Sequence, residues 1–403
     1  MRVAIVSSNE THWGGSEELW QKAGIALARQ GHRVTVYKPR LTFNSRPARE
    51  LSEAGCVLVD LTRPFRILPQ FYSLLSMISR LGAVVAIGLR LALSLSLNRP
   101  DIVLLSQGGN WDGVHFGRIL QRLGLPFVIL SQKASEFYWP PDGQRDHVVA
   151  FYRAAMRAFF VSEHNLRLTE FQIGERLPRA SVVRNPFLVP HERAIAWPGD
   201  SDIVDFACVG RLYPMEKGQD LLLEVLAQDK WRARSVRMTF YGEGSNRAGL
   251  EGMAAFLGLS NVRFMGLVDD MVAVWGSHRA LVLASRCEGL PLVVVEAMLA
   301  ARVVIATDAG GTGEAFTDNV TGFLAAAPTV EALDEAMERA WARRDEWQQI
   351  GAVAAIAIRN IIPVDPGASL AATIVELVDP RAADPEGEEP GADRMPRPGT
   401  AAR

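Results

Sequence analysis

Short apolar runs that alternate with helical segments constrain this chain more than any other feature of its sequence. Runs such as RVAIVSS and RVTVY are rich in β-branched residues, and the segment SEELWQKAGIALARQ between them carries apolar residues at helical spacing. Strands that are apolar along their whole length fit a parallel sheet covered by helices on both faces. The pattern therefore predicts an α/β chain built from doubly wound parallel sheets.

This alternation occurs twice, and a break that contains three prolines separates the two series. With 403 residues the chain is also longer than single cores usually grow. A helical pattern at 331–349 falls near the end of the second series. We predict five parts: an N-terminal Rossmann-like domain (1–185), a linker (186–202), a C-terminal Rossmann-like domain (203–360), a helix that can pack back on the first domain (361–378) and a disordered tail (379–403). A cleft is expected between the domains.

Composition disfavours several classes of protein. Lys and Arg number 43 against 45 Asp and Glu, so the chain lacks the basic excess that is typical of nucleic-acid binding. The three cysteines lie far apart, a pattern that fits a reducing compartment and gives no sign of a zinc site. The first apolar run is too short for a signal peptide. We expect a cytoplasmic protein.

The segment 67–97 is largely apolar, and only Arg80 and Arg90 interrupt it with charge. Its uncharged runs are shorter than the ~18–20 residues that a membrane span needs. On a helical wheel these arginines lie on the same side as Arg66 and leave a broad apolar face. Two interpretations stay open: a helix packed on its own domain, or a basic amphipathic helix in peripheral contact with the inner face of the membrane.

Two cations follow the first strand of the second series, at the end of the sheet where ligands bind. Arg211 comes directly after IVDFACVG, and Lys217 follows six residues later beside a glycine. A pair of cations at this place suits a diphosphate, because each can neutralise charge on a phosphate oxygen. Taken alone, the pair can equally be two solvated surface charges.

The loop RCEGLPLVVVEAMLA follows the strand ALVLAS and predicts an anion site. Gly289 permits close backbone approach, and Pro291 suits the first turn of a helix whose free N–H groups bind anions. Glu288 lies in the loop, and Glu296 lies in the second turn of that helix, where it can bond sugar or ribose hydroxyls or face the core. Another glycine-rich loop, DAGGTGE, ends at Glu314 and can face the same cleft.

The loop HWGGSEE precedes the first helix of the chain. The N–H groups of Gly14 and Gly15 can point at a phosphate, or the loop can be an ordinary turn with Ser16 as the N-cap. A second glycine-containing segment, GEGSNR at 242–247, lacks the third glycine of a dinucleotide-binding fingerprint. The absence of this third glycine disfavours a dehydrogenase.

The ordered set GRLYPMEKG, YGEGSNR, NVRFMG, EGLPLVVVEAM and GGTGE resembles the C-terminal domain of retaining glycosyltransferases of family 4. WGGSEELW and QGHRVTV resemble the first β-α-β unit of that family. The resemblance covers about residues 1–360 and is strongest over 205–325. It implies the GT-B fold, in which two Rossmann-like domains face a central cleft. It also implies transfer of a sugar from a nucleotide-diphosphate-sugar to a hydroxyl acceptor with retention of configuration, in the synthesis of glycans, polysaccharides or glycolipids.

The resemblance implies a role for each matching residue. Arg211 and Lys217 match the cations that hold the donor's diphosphate, and Glu288 matches the first glutamate of the E-x7-E motif, near the transferred sugar; these three are the predicted catalytic residues. Glu296 matches the second glutamate, which bonds the ribose hydroxyls. The other donor-binding positions are Gly14, Gly15, Gly289, Leu290 and Pro291. No metal or other cofactor is expected, because the two cations and a helix N-terminus stabilise the leaving group.

The sequence departs from the family at a few positions. Family members commonly carry a glycine where this chain has Ala301 and a proline where it has Val303. Many members also carry a histidine, near the sugar and the acceptor, where this chain has Gln132. Lys133 or Glu136 can substitute for that imidazole.

The acceptor pocket is expected in the N-terminal domain. Trp111, Asp112 and Trp139 are candidates because aromatic faces stack on sugars, although core tryptophans fit the same pattern. The sequence leaves the acceptor open among a glycan, a lipid-linked sugar and a small molecule. Two alternative functions remain: a nucleotide-sugar epimerase or phosphorylase on a GT-B frame, and a non-catalytic GT-B protein that binds a glycan or a partner. The second alternative predicts loss of the donor residues, all of which are present.

Overall fold

Two parallel sheets, one in each half of the chain, organise the computed structural model of the protein. The structure describes residues 1–10, 13–63, 80–193, 195–199 and 201–379, and for 80–83 the backbone alone. The predicted tail beyond residue 379 and the first part of the segment 67–97 therefore lie outside the described residues.

The N-terminal sheet consists of parallel strands with helices on both faces. Its strands are β1 (Arg2–Ser7), β2 (Arg33–Lys38), β3 (Val57–Asp60), β4 (Ile102–Gln107), β5 (Phe127–Ser131), β6 (Ala158–Phe160) and β7 (Ala180–Val182). The helices of this half are α1 (Gly15–Arg29), α2 (Arg46–Glu53), α3 (Arg80–Leu97), α4 (Val114–Arg122), α5 (Asp142–Ala154) and α6 (Glu163–Ile173). Within the described residues the strand order is β3-β2-β1-β4-β5-β6-β7, so it reverses between β1 and β4.

The C-terminal sheet repeats this plan. Its strands are β8 (Val204–Val209), β9 (Val236–Tyr241), β10 (Val262–Gly266), β11 (Ala280–Leu283), β12 (Val303–Thr307) and β13 (Phe323–Ala325). The helices are α7 (Pro214–Lys217), α8 (Gln219–Leu226), α9 (Asp229–Arg232), α10 (Arg247–Phe256), α11 (Met271–Ser277), α12 (Leu292–Leu299), α13 (Val330–Ala342), α14 (Trp347–Arg359) and α15 (Pro366–Val378), with 3-10 turns at Thr312–Glu314 and Arg344–Glu346. Among the described residues the order is β10-β9-β8-β11-β12-β13, which reverses between β8 and β11.

Each sheet is buried on both faces. In β4, Val103 and Leu105 contribute to the core on one face, and Ile102 and Leu104 contribute to the core on the other. The C-terminal sheet also separates two cores. This arrangement explains why the strands are continuously apolar, and it confirms the predicted fold class.

The chain crosses between the two halves twice. The first crossing follows β7, and the described residues between β7 and β8 contain no helix or strand. The second crossing leads to α15, which packs against α1 of the N-terminal half: Leu370 and Ile374 share a core with Trp20. The packing is close, because a Cβ at Gly367 would lie 2.5 Å from Cβ of Lys22.

One helix differs from the sequence-based expectation, and one substitution relative to the family has a visible structural effect. The pattern at 331–349 is not one helix but parts of α13 and α14, with the turn Arg344–Glu346 between them. Ala301, the position at which family members commonly have glycine, has a φ of +59° directly after α12. A left-handed conformation costs a residue with a Cβ about 1 kcal/mol, so the exchange of glycine for alanine places strain at this turn.

Helix α3 packs on the N-terminal core with one face only. Ile87, Leu91 and Leu95 are buried, whereas Leu89 and Leu93 on the outer face are about half exposed. Among the described helices, none combines the length and the apolar character needed to cross a bilayer.

Candidate active site

Three loops of the C-terminal domain meet where its central strands end. The loops follow β8, β11 and β12. Arg286 N and Cys287 N donate to the carbonyl oxygen of Glu216 at 2.8 and 3.2 Å, which joins the first two loops. Gly311 N donates to the carbonyl oxygen of Gly289 at 2.6 Å, which joins the third. The loops thus form one surface at the crevice between β8 and β11, the place where ligands bind in sheets of this kind.

An ion pair between Lys217 and Glu288 lies on this surface. Lys217 Nζ is 2.6 Å from Glu288 Oε1, and the same oxygen accepts a hydrogen bond from Ser285 Oγ at 2.6 Å. Gly218 allows the two loops to come this close, since its φ is +61° and a Cβ there would lie 1.9 Å from the carbonyl oxygen of Ala284. The structure therefore brings together two of the predicted site residues.

Arg211 is joined to this surface through Glu216, which sequence analysis missed. Arg211 Nη2 is 2.6 Å from Glu216 Oε2, and its guanidinium lies over the ring of Tyr213 at 5.2 Å. Glu216 Oε1 accepts from Lys133 Nζ of the other domain at 2.8 Å. Burial disfavours the charged form of Glu216, but Lys133 and Arg211 outweigh burial and hold its pKa below the usual range. The sequence indicates a role for Glu216 only weakly, through its position next to Lys217.

Glu296 lies in α12 and points into the protein. Its Oε1 accepts a hydrogen bond from the backbone N–H of Leu188, in the connection between the domains, at 3.0 Å. The side chain is almost completely buried, and burial raises the pKa of this carboxyl to about 8. The two glutamates of the predicted motif therefore differ: Glu288 is paired with a cation, and Glu296 is bonded to a neutral amide.

The glycine loop before α1 lies against the C-terminal domain. Gly14 is the N-cap of α1, so Ser16 is inside the helix and is not its cap. Gly14 N donates to Glu17 Oε2 at 3.1 Å. A Cβ at Gly15 would lie 3.3 Å from Leu292, the first residue of α12. The loop thus approaches the segment that follows Glu288.

Gln132 contacts the Glu288 loop from the N-terminal domain. A Cβ at Gly289 would lie 2.2 Å from the carbonyl oxygen of Gln132 and 2.8 Å from Val161, so only a glycine fits there without a shift. Leu290 is buried and Pro291 is the N-cap of α12. The side chain of Gln132 is also buried, yet within the described residues neither its amide oxygen nor its amide nitrogen has a hydrogen-bond partner.

The other predicted acceptor-side residues have different surroundings. Trp111 Nε1 donates to the carbonyl oxygen of Tyr138 at 2.9 Å. Asp112 accepts from Ser8 Oγ at 2.7 Å and from two N–H groups of its own loop, so it holds that loop together. Trp139 is 60% exposed. Of these three side chains, Trp139 is the most open to a ligand.

Glu314 connects the domains at the edge of the cleft. Its carboxylate accepts from the backbone N–H groups of Glu163 and His164 at 3.1 and 2.7 Å, and so caps α6 of the N-terminal domain. Arg184 lies 3.2 Å from the same carboxylate. Glu136, a predicted acceptor-side residue, is 2.9 Å from His164 Nε2, and this hydrogen bond raises the pKa of His164.

Thiol groups and metal ligands contribute little to this surface. Cys56, Cys208 and Cys287 are free and buried, and burial raises the pKa of Cys208 to about 12. A thiol of such high pKa is a poor nucleophile at neutral pH. Within the described ranges, no group of three or more His, Cys, Asp or Glu side chains is arranged to hold a metal ion.

Sequence comparison relates the second half of the chain to known proteins. Residues 204–343 match the family model described as "Glycosyl transferases group 1". The Vi polysaccharide biosynthesis protein VipC/TviE of Salmonella typhi is 35% identical over 103 residues, 25% of this chain and 18% of that protein. The putative glycosyltransferase EpsD of Bacillus subtilis is 36% identical over 118 residues, 28% of this chain and 31% of that protein. The matched segments thus span less than a third of either relative.

Comparison of structures covers almost the whole chain. Anabaena Alr3699/HepE in complex with UDP and glucose has a TM-score of 0.72 and 17% identity, over 93% of this chain and 99% of that one. A glycosyltransferase from Rickettsia africae has a TM-score of 0.70 and 14% identity, over 94% and 98% of the two chains. The likeness shows that this chain has the GT-B fold.

Proposed function

We propose that this chain is a retaining glycosyltransferase that moves a sugar from a nucleotide-diphosphate-sugar to a hydroxyl acceptor. One observation carries the proposal. At the crevice of a GT-B fold, Lys217 forms an ion pair with Glu288, and Arg211 forms a second ion pair with Glu216, the residue next to Lys217. The match of residues 204–343 to group 1 glycosyltransferases includes all four of these residues. The match and the site therefore support the same reaction class.

The proposed reaction uses these residues to stabilise a leaving diphosphate. The bond between the anomeric carbon and the distal phosphate oxygen breaks, and its electrons pass to the diphosphate. Lys217 and Arg211 neutralise the added negative charge, and the N–H groups at the start of α12 donate to the phosphate. The acceptor hydroxyl attacks from the face that the diphosphate leaves, and its proton passes to the leaving phosphate oxygen. The mechanism requires no covalent intermediate on the protein and no metal.

Donor binding changes the partners of two predicted residues. Glu296 bonds the ribose hydroxyls in the proposed complex, which requires that its carboxyl exchange or share the hydrogen bond with Leu188 N. Gly15, which already lies against Leu292 at the start of α12, and Gly14 bring backbone N–H groups toward the diphosphate, which requires that Gly14 N exchange or share its hydrogen bond with Glu17. From the N-terminal domain, the amide of Gln132, which has no hydrogen-bond partner among the described residues, and the exposed indole of Trp139 supply contacts for sugar hydroxyls and sugar faces.

The proposed setting is the cytoplasm, with synthesis of a glycan, a polysaccharide or a glycolipid. The exposed apolar face of α3 supports contact with the inner surface of a membrane, which would bring the N-terminal domain close to a lipid-linked acceptor.

A thermal shift assay tests the proposal first. The protein is heated with UDP, GDP, ADP or dTDP, each with and without EDTA. A nucleotide at one hundred times its Kd stabilises the folded protein by about 2.7 kcal/mol. We expect one nucleotide to raise the melting temperature regardless of EDTA, which would identify the donor base. The absence of a shift with all four nucleotides would contradict the proposal.

A further inference from the structure

We propose that Lys133 of the N-terminal domain is a third cation that binds the donor's diphosphate. While no donor is bound, Lys133 forms an ion pair with Glu216. The inference rests on the proposed function and adds a residue that the donor motifs do not contain. It also replaces the sequence-based interpretation of Lys133 as a substitute for an imidazole beside the acceptor.

The backbone on both sides of Lys133 is fixed against the loop that carries Glu288. The carbonyl oxygen of Gln132 lies against Gly289, where a Cβ would be 2.2 Å away. The carbonyl oxygen of Ala134 lies 3.8 Å from Cys287 Sγ. The segment 132–134 therefore runs along the segment 287–289, and the ammonium group of Lys133 lies 2.8 Å from Glu216, in the loop after β8 that also carries Arg211.

Glu216 holds two cations that come from different domains. One carboxylate oxygen is 2.8 Å from Lys133 Nζ, and the other is 2.6 Å from Arg211 Nη2. A phosphate group presents its oxygens to cations in a similar way, so the carboxylate stands where a phosphate oxygen can compete for both partners. The arrangement thus marks Lys133 and Arg211 as neighbours within reach of one anion.

The charge of the cluster supports the same conclusion. Arg211 and Lys217 are matched by Glu216 and Glu288, so these four side chains together are neutral and have no net attraction for an anion. Lys133 gives the cluster a net positive charge. Its side chain is 24% exposed and that of Glu216 is 13% exposed, so solvent and salt screen the pair only in part.

Binding of nucleotides that differ in one phosphate group tests the inference. Isothermal titration calorimetry measures the Kd of UDP, GDP, ADP and dTDP, and of the matching monophosphates, for wild type, Lys133→Gln, Lys133→Arg, Glu216→Gln and the double variant Lys133→Gln/Glu216→Gln. Lys230→Gln is the matched control, because Lys230 pairs with Asp334 on the surface, away from the cleft.

For the diphosphate that binds wild type, we expect Lys133→Gln to raise the Kd by about tenfold. The Kd of the matching monophosphate should rise by less than about twofold. Lys133→Arg should retain most of the preference for the diphosphate, and Lys230→Gln should bind like wild type. Glu216→Gln should bind the diphosphate about threefold more tightly, because the cations lose an internal competitor. Retained melting temperatures would show that the variants are folded.

The double variant separates direct contact from an effect through Glu216. If Lys133 contacts the phosphate, the double variant binds about tenfold more weakly than Glu216→Gln. If Lys133 only positions Glu216, the two bind equally, and the inference is wrong. Unchanged binding by Lys133→Gln would also overturn it while leaving the proposed function intact. If none of the four diphosphates binds wild type, the proposed function fails and the inference fails with it.

Discussion

The two walls of the cleft differ in how their polar side chains are bonded. On the C-terminal wall, Arg211, Lys217 and Glu288 each have a partner of opposite charge at 2.6 Å. On the N-terminal wall, Lys133 pairs with Glu216 of the opposite wall at 2.8 Å, but the buried amide of Gln132 has no hydrogen-bond partner among the described residues. The C-terminal wall is thus organised before a ligand arrives. The N-terminal wall keeps hydrogen-bonding capacity that a ligand or water can use.

The largest effect is expected from Lys217→Ala, which removes the ion pair with Glu288 on the C-terminal wall. Loss of one group that stabilises the leaving charge should lower kcat/KM by about a thousandfold. The melting temperature should change little, because Ser285 still donates to Glu288. Steady-state kinetics and thermal unfolding measure both quantities, with Lys230→Ala as a control outside the cleft. Activity within threefold of wild type would exclude Lys217 from the reaction.

The second prediction concerns Glu296, whose carboxyl accepts a hydrogen bond from the neutral amide of Leu188. Its pKa is about 8 in the folded protein against 4.5 for the free group, so the folded state binds the extra proton between these values. The free energy of unfolding of wild type should therefore fall as pH rises from 5 to 8. Glu296→Gln removes this titrating group. The free energy of unfolding of the variant minus that of wild type should therefore increase by about 3 kcal/mol between pH 5 and pH 8. Urea unfolding at the two pH values checks the difference, and parallel changes in both proteins would contradict the assignment.

The contact between the walls is tested by Gly289→Ala. The added methyl group would lie 2.2 Å from the carbonyl oxygen of Gln132, so one loop must shift. We expect a loss of about 2 kcal/mol in stability and a larger radius of gyration by small-angle scattering. The matched control is Gly249→Ala in α10, where nothing lies within 4 Å of the new Cβ and a gain of about 0.5 kcal/mol is expected. Equal effects of the two substitutions would mean that the walls do not touch.

The smallest effect is expected at Gln132 on the N-terminal wall. Gln132→Leu removes a buried amide that has no hydrogen-bond partner in the described part of the chain, and it should stabilise the empty protein by about 1 kcal/mol. The same change should raise the KM for the nucleotide-sugar, because the sugar loses a hydrogen-bonding group. Thermal unfolding and donor titrations measure the two quantities. A less stable variant would show that the amide already has a partner.

The fold could be predicted from the sequence because both faces of the central strands are buried, which leaves apolar runs that helices separate. Strand β13 escaped prediction, since FLA is too short to show a period and is a strand only through its pairing with β12. The ion pair between Lys217 and Glu288 lies within one domain, and its two loops follow β8 and β11, which are neighbours in the sheet. Lys133 lies 83 residues from Glu216 in the sequence, and their contact depends on how the domains dock. Spacing along the chain carries no information about that docking.

The return of α15 to α1 has a mechanical consequence. A body attached to another at one point can swing in any direction, whereas a body attached at two separated points can turn only about the line through them. The chain connects the two halves after β7 and again between α14 and α15, and the packing of Leu370 and Ile374 on Trp20 fixes the second connection to the N-terminal half. Because α1 begins at the glycine loop, the second point lies on the same rigid rod as Gly14 and Gly15. A rotation about this hinge therefore moves the glycine loop along a single arc relative to α12.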